Sequence, residues 1–179
     1  MGQQHAASLK GNPLCRLLSD AETAEIAFLM EARNVRARQE LYRDGDPSDG
    51  LYVLVSGEFE MVKRATQREH ELARLGPGAI FGVISLLTRD VRTVTARASV
   101  DSSVLLLPAE RFQPLVRAGS PAALKLVAGI AEVLAQRLAS TNAKLVELTE
   151  RVEAADSAPA KAQDLQFIEL RRALQALSF

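Results

Sequence analysis

The spacing of apolar positions changes twice along the chain. From residue 13 to residue 32 it is helical: Leu14, Leu17 and Leu18 form a short apolar segment that stops at Ser19, and Ile26, Leu29 and Met30 follow as a stripe. Ser19 and Glu22 stand in the S-x-x-E spacing in which each side chain satisfies the other's backbone N–H, which predicts a helix over residues 20–32.

From Asn34 the period becomes two, with Val35 and Ala37 alternating with Arg36 and Arg38. Turn formers then punctuate the chain. DGDPSDG at 44–50 precedes the apolar run LYVLV, Ser56-Gly57 leads into EFEMVKR, and residues 65–68 read as a hairpin tip. Residues 69–75 return as a strand before Gly76-Pro77-Gly78, residues 92–98 carry Val94, Ala96 and Ala98 on one face, and VLLL begins at Val104. Seven or eight short strands divided by Gly-rich turns predict a small antiparallel barrel or jelly roll.

Beyond Pro108 the spacing is helical again. AERFQPLV reads as a short helix that Pro114, lacking an N–H, kinks or ends. Ser120-Pro121 then supplies a cap residue and a proline at the first helical position. Leu124, Ala131, Leu138, Leu145 and Val152 recur every seven residues, with Val127, Leu134, Thr141 and Leu148 between them. This seam of four heptads predicts a long helix that pairs with a second copy in a parallel homodimer, because it outruns the roughly 30 Å width of a small domain. The alternative is that the stripe packs on the barrel of its own chain.

Composition narrows the organisation. With 179 residues, 47% of them hydrophobic, the chain fits one core with an appendage. The divisions expected are a polar, fraying N-terminus at 1–12, a β-roll with flanking helices at 13–119, the long helix at 120–155, and a linker with a short amphipathic helix at 156–179. Twenty-two Lys plus Arg balance twenty-two Asp plus Glu, so no net field draws DNA or an anionic membrane. The lone Cys15 can form no intrachain disulfide or four-cysteine cluster, and no metal is expected. The first residues lack the apolar core of an export signal and no later run approaches a membrane span, which sets a cytoplasmic expectation. His5 and His70 have no acid placed beside them by spacing, and no nucleophile, zinc or P-loop motif is present. A binding module is therefore expected rather than an enzyme.

The candidate chemistry lies in FGVISLLTRDVRTVTA, residues 81–96. Gly82 frees the backbone before a helical turn at 84–87, and Arg92 follows a polar tip with Arg89 and Asp90. Backbone N–H groups at a helix start beside a guanidinium suit an oxyanion, although Gly, a turn and Arg also meet by chance in β-proteins.

The order of parts is similar to that of a known family. A leading helix, a β-roll, the F-G-x-x-x-L-L cassette with Arg five residues after the second Leu, and a long helix resemble the cyclic nucleotide-binding domain of the catabolite activator and fumarate-nitrate regulator superfamily, over residues 14–152. The resemblance implies an α+β fold: an antiparallel, jelly-roll-like β-roll flanked by helices, with a long C-terminal dimerisation helix. It further implies that Arg92 pairs with a cyclic phosphate and that the Gly82–Ser85 backbone and the Ser85 hydroxyl donate to its oxygens. Thr93 would add contacts near phosphate or base, and Phe81, Val83 and Ile84 complete the cassette. Thr141 and Asn142 fall where the family reads an adenine amino group across the dimer, which makes cyclic AMP the expected ligand ahead of cyclic GMP. Thr141 is also the one polar residue of its seam, which a register-setting layer explains equally well.

Two departures qualify the resemblance. The family's ribose-binding Glu is Val83 here, a loss on the order of 1.5–3 kcal/mol for a charge-assisted hydrogen bond, and the Pro before the family Arg is Val91. Weaker nucleotide binding, a different phosphate-bearing ligand, or a ligand-free dimerisation scaffold all fit. In addition, no winged helix-turn-helix pattern follows the long helix. Instead DLQFIELRRALQALSF, residues 164–179, carries Phe167, Leu170, Leu174 and Leu177 at helical spacing, as a helix that folds back or docks a partner protein. The output expected is protein contact rather than DNA binding.

Overall fold

The computed structural model describes residues 2–65, 68–88 and 90–156, so the expectations for residues 157–179 lie outside the described residues. Helix α1 (Gly2–Leu9), a 3-10 turn at Pro13–Cys15 and helix α2 (Asp20–Leu29) precede eight strands. The strands are β1 (Glu31–Val35), β2 (Glu40–Tyr42), β3 (Gly50–Ser56), β4 (Phe59–Ala65), β5 (Arg68–Leu75), β6 (Ile80–Phe81), β7 (Thr95–Ala98) and β8 (Ser102–Pro108). Helix α3 (Val83–Thr88) interrupts them between β6 and β7; α4 (Ala109–Arg117) and α5 (Pro121–Asp156) follow.

The strands form two four-stranded sheets, ordered β1-β8-β3-β6 and β2-β7-β4-β5, with every pairing antiparallel. This is the β-roll with flanking helices and long C-terminal helix that the resemblance implied. Its cores explain the continuous apolar runs. Tyr52 and Leu54 of β3 and Val104 and Leu106 of β8 face the roll interior, whereas Leu51, Val53, Leu105 and Leu107 face a second core shared with the helices. A sheet covered on both faces has no polar side to alternate with.

Residues 2–12 do not match the frayed segment expected for 1–12. Leu9 is 1% exposed in the helical core, and the Asn12 side chain accepts from the Leu14 N–H at 3.1 Å and donates to the Gly78 carbonyl at 3.0 Å. Helix α2 begins at the predicted capping box but stops at Leu29, because Met30 turns extended to let β1 pair with β8. Pro114 does not end α4, which runs on to Arg117. In so short a helix the missing N–H deprives only the Glu110 carbonyl, and Glu110 lies at the exposed first turn.

Helix α5 packs one face on its own chain and leaves another exposed. Ala122, Ala123, Leu126 and Ile130 are buried on the helical core, with Val127 and Leu134 packed beside them. A Cβ at Gly129 would stand 2.6 Å from the Leu14 carbonyl, so glycine lets α5 lie directly on the Pro13–Cys15 turn. The seven-residue series faces outward: Leu138 is 62% and Leu145 58% exposed, and Leu124 is exposed as well.

Candidate ligand site

The site is built where β6 runs into α3. Gly82 has φ +70, and a Cβ there would lie 2.4 Å from Arg92 Nη1 and 2.9 Å from the Gly50 carbonyl. Conformation and space both demand glycine. The turn after β2 fixes the facing arginine: the Arg92 N–H donates to the Asp46 carbonyl and the Gly45 N–H donates to the Arg92 carbonyl, each at 2.8 Å. These bonds explain why the strand predicted over 92–98 starts only at Thr95.

The Arg92 side chain is among the largest fully buried groups of the protein, 2% exposed as a residue. Its Nη2 donates to Asp49 Oδ1 at 2.5 Å and to the Gly50 carbonyl at 2.9 Å. Its Cζ lies 4.2 Å from the Tyr42 ring centroid and 5.3 Å from that of Tyr52. Burial pushes both phenols upward, so they stay neutral and present ring faces to the cation. Arg92 Nε and Nη1 are buried with no hydrogen-bond partner.

Asp49 holds the other end of this cluster. It also accepts from the Tyr52 hydroxyl at 2.7 Å and from Arg33 Nη1 at 3.0 Å. Burial would raise its carboxyl, but the Tyr52 hydrogen bond, Arg92 and Arg33 outweigh it and hold the group below the usual carboxylate range. A cleft of about 430 Å³ opens beside it, lined by Glu31, Arg33 and Ser48. Another of about 570 Å³ opens against Tyr42, lined by Arg38, Arg43 and Asp46.

The cassette residues divide between the two cores. Phe81 is buried in the roll and stacks on Tyr52, centroids 5.3 Å apart. Val83, 4% exposed, points the other way into the helical core and offers no polar group. Ile84 is exposed, and Ser85 contributes its backbone to α3, its side chain lying outside the described set. Thr93 is exposed, and its carbonyl accepts from Lys63 Nζ at 2.8 Å.

Of the expected site residues, Phe81, Gly82 and Arg92 are therefore brought together. Thr141 turns its hydroxyl onto its own helix, donating to the Arg137 carbonyl at 2.8 Å, and Asn142 is exposed. The link from α5 to the cassette is made one turn earlier, by Arg137 Nη2 donating to the Ile80 carbonyl at 2.9 Å. Sequence reasoning missed Tyr42, Asp49, Tyr52 and Arg137. Period-two alternation of Tyr52 with Leu54 was the available signal for one of them. No cluster of metal-ligating side chains occurs among the described residues, and none of their helices is by itself long and apolar enough to cross a membrane.

Chemically, the arrangement is a desolvated cation with two donors left over. One carboxylate, itself shared with Tyr52 and Arg33, compensates the charge only in part. Buried donors without partners are costly, and an oxyanion seated at Gly82 would satisfy them.

Comparison with known proteins places this geometry. Residues 32–118 match the family described as the cyclic nucleotide-binding domain. Glutaminase 2 of Bradyrhizobium diazoefficiens is 34% identical over 132 residues, 72% of this chain and 20% of that protein. The cyclic AMP receptor protein of Thermus thermophilus is 32% identical over 139 residues, 76% of this chain and 62% of that protein. The crystal structure of the Thermus thermophilus catabolite activator protein superposes with a TM-score of 0.68 at 25% identity, covering 92% of this chain and 86% of that one. The chain thus spans less than two thirds of the curated relatives it matches. The roll, the Gly82–Arg92 junction and the family match together show that residues 32–118 of this chain are a cyclic nucleotide-binding domain.

Proposed function

We propose that the chain is a cyclic-nucleotide-sensing regulatory module, with cyclic AMP as its ligand. The observation that carries the reading is Arg92, buried against Gly82 with Nε and Nη1 unpartnered. A cyclic phosphate would take those two donors while Asp49 and the Gly50 carbonyl keep Nη2. Gly82, Val83, Ile84 and Ser85 would lend backbone N–H groups, and Phe81 would hold Tyr52 behind the arginine. Thr93, with Thr141 and Asn142, one from each helix of the pair, would line the base. The similarity to the cyclic AMP receptor protein of Thermus thermophilus favours the adenine nucleotide.

The module pairs through the outward row of α5 that includes Leu124, Leu138 and Leu145. It passes its state to a protein partner, through residues 164–179, without itself touching DNA. Calorimetry with cyclic AMP and cyclic GMP tests the ligand: heat from cyclic AMP that Arg92→Gln abolishes is expected. No heat from either at millimolar concentration would remove the sensor reading.

A second reading has its own observation. Asp49 already compensates Arg92, and Val83 is apolar, which suits a ligand-free domain kept for dimerisation. An Arg92→Gln protein that melts and assembles like the parent, with no nucleotide response in either, is the outcome that favours it.

A further inference from the structure

Leu148 of α5 is 6% exposed, yet it belongs to neither of the two cores. It lies about 16 Å further along the helix than Arg137, which ties α5 to the cassette. Its own helix does not account for the burial. The neighbours that a helix supplies stand three and four positions away, and of these Lys144, Leu145 and Val152 are themselves exposed. The burial is a property of the single chain, so a partner helix does not account for it either.

The sequence that follows α5 has the chemistry to do so. Residues 157–179 begin where α5 ends at Asp156, about 12 Å of helix beyond Leu148. Ser157, Ala158 and Pro159 supply small residues and a helix breaker, and Phe167, Leu170, Leu174 and Leu177 then recur at helical spacing. Charge agrees with such a pairing. Glu147 and Glu150 flank Leu148, and Arg171 and Arg172 lie between Leu170 and Leu174.

We propose that residues 164–179 return antiparallel along the far half of their own α5 and cover Leu148. A return whose turn lies between residues 156 and 164 sets Leu170 and Leu174 on either side of Leu148 and Phe167 near Val152. Leu148 also belongs to the seam through which α5 is read to pair, so the docked tail and a second copy of α5 compete for it. That consequence rests on the pairing reading; the docking does not. A protein partner that takes the tail must first displace it from Leu148.

The test uses the full chain. Leu170→Asp with Leu174→Asp should speed amide hydrogen exchange across residues 144–152 by about tenfold or more and leave exchange in β3 and β8 unchanged. Leu148→Asp should do the same to the amides of residues 164–179. With Cys15 buried, a Val152→Cys, Phe167→Cys pair oxidised in dilute solution should close within one chain. Unchanged exchange at 144–152 in the double variant overturns the docking, and so does a pair that fails to close or that joins two chains, which would make the cover a second copy. For the competition, the double variant should sediment as the tighter dimer. Weaker association in it would place the tail inside the dimer interface and overturn that consequence, whereas monomers throughout would remove the pairing reading, with the docking decided by exchange and disulfide alone.

Discussion

Arg92 Nη2 and Asp49 Oδ1 stand 2.5 Å apart, and the two groups are unequally buried: the arginine side chain is 1% exposed and the carboxylate 42%. The cation is thus buried inside the roll while its counter-ion sits at the rim. An anion that reaches Gly82 meets a positive charge still poorly screened.

Arg92→Gln should lower cyclic AMP affinity by at least about a hundredfold, since two charge-assisted hydrogen bonds of about 1.5–3 kcal/mol each are lost. Calorimetry measures it. A change below fivefold would place the phosphate elsewhere.

Asp49→Asn should destabilise the unliganded protein by about 1–3 kcal/mol, because Arg92 loses its compensating charge. The same change should raise affinity for an anionic ligand several-fold. Denaturant melts with and without nucleotide read both effects, and an unchanged difference between them contradicts the shared-charge account.

The acid limb of stability follows from the same pair. Asp49 titrates below its usual range when folded, so its contribution is complete above the unfolded value near pH 4 and is lost as pH falls through the lower folded value. Asp49→Asn should flatten the stability curve in that window and leave its slope near neutrality unchanged. Melting temperatures across an acid pH series check this.

Gly82→Ala meets two obstacles at once, a left-handed backbone and a Cβ at 2.4 Å from Arg92 Nη1. The expected cost is about 1–3 kcal/mol in stability together with loss of nucleotide binding. A stable variant that still bound ligand would show that the arginine moves away from Gly82 at no cost.

On α5 the two faces should separate cleanly. Leu126→Ala, in the helical core, should cost about 2–5 kcal/mol of stability. Leu138→Asp and Leu145→Asp, on the outward face, should leave the melt of the single chain intact and shift sedimentation from dimer to monomer. A monomeric parent at tens of micromolar would remove the pairing proposal.

These expectations show what local patterning reveals and what it hides. The capping box at Ser19 and Glu22, the strand succession and the Ser120-Pro121 start of α5 were legible, because each is a short-range device whose residues satisfy one another within a few positions. Arg92 was legible as a candidate through its spacing from Gly82. Asp49 was not, because turn chemistry fully accounts for DGDPSDG and nothing local marks one of its three aspartates as the counter-ion of a residue 43 positions later. Arg137 was hidden for the same reason: its partner is a carbonyl 57 residues upstream, and a carbonyl has no sequence signature. Val83 was read as a missing ribose contact, and its burial in the helical core shows what the residue does instead.

The anchoring of α5 has a mechanical consequence. The helix is held by the core through its first turns and by Arg137 at the cassette, and 19 residues run on to Asp156, a length of about 28 Å at 1.5 Å per residue. A tilt of only about 10° at the Ile80 tether would carry the far end through about 5 Å, roughly one helical turn. The far half of the helix would then act as a lever arm, and a sub-ångström adjustment at β6 would be multiplied several times over at its tip.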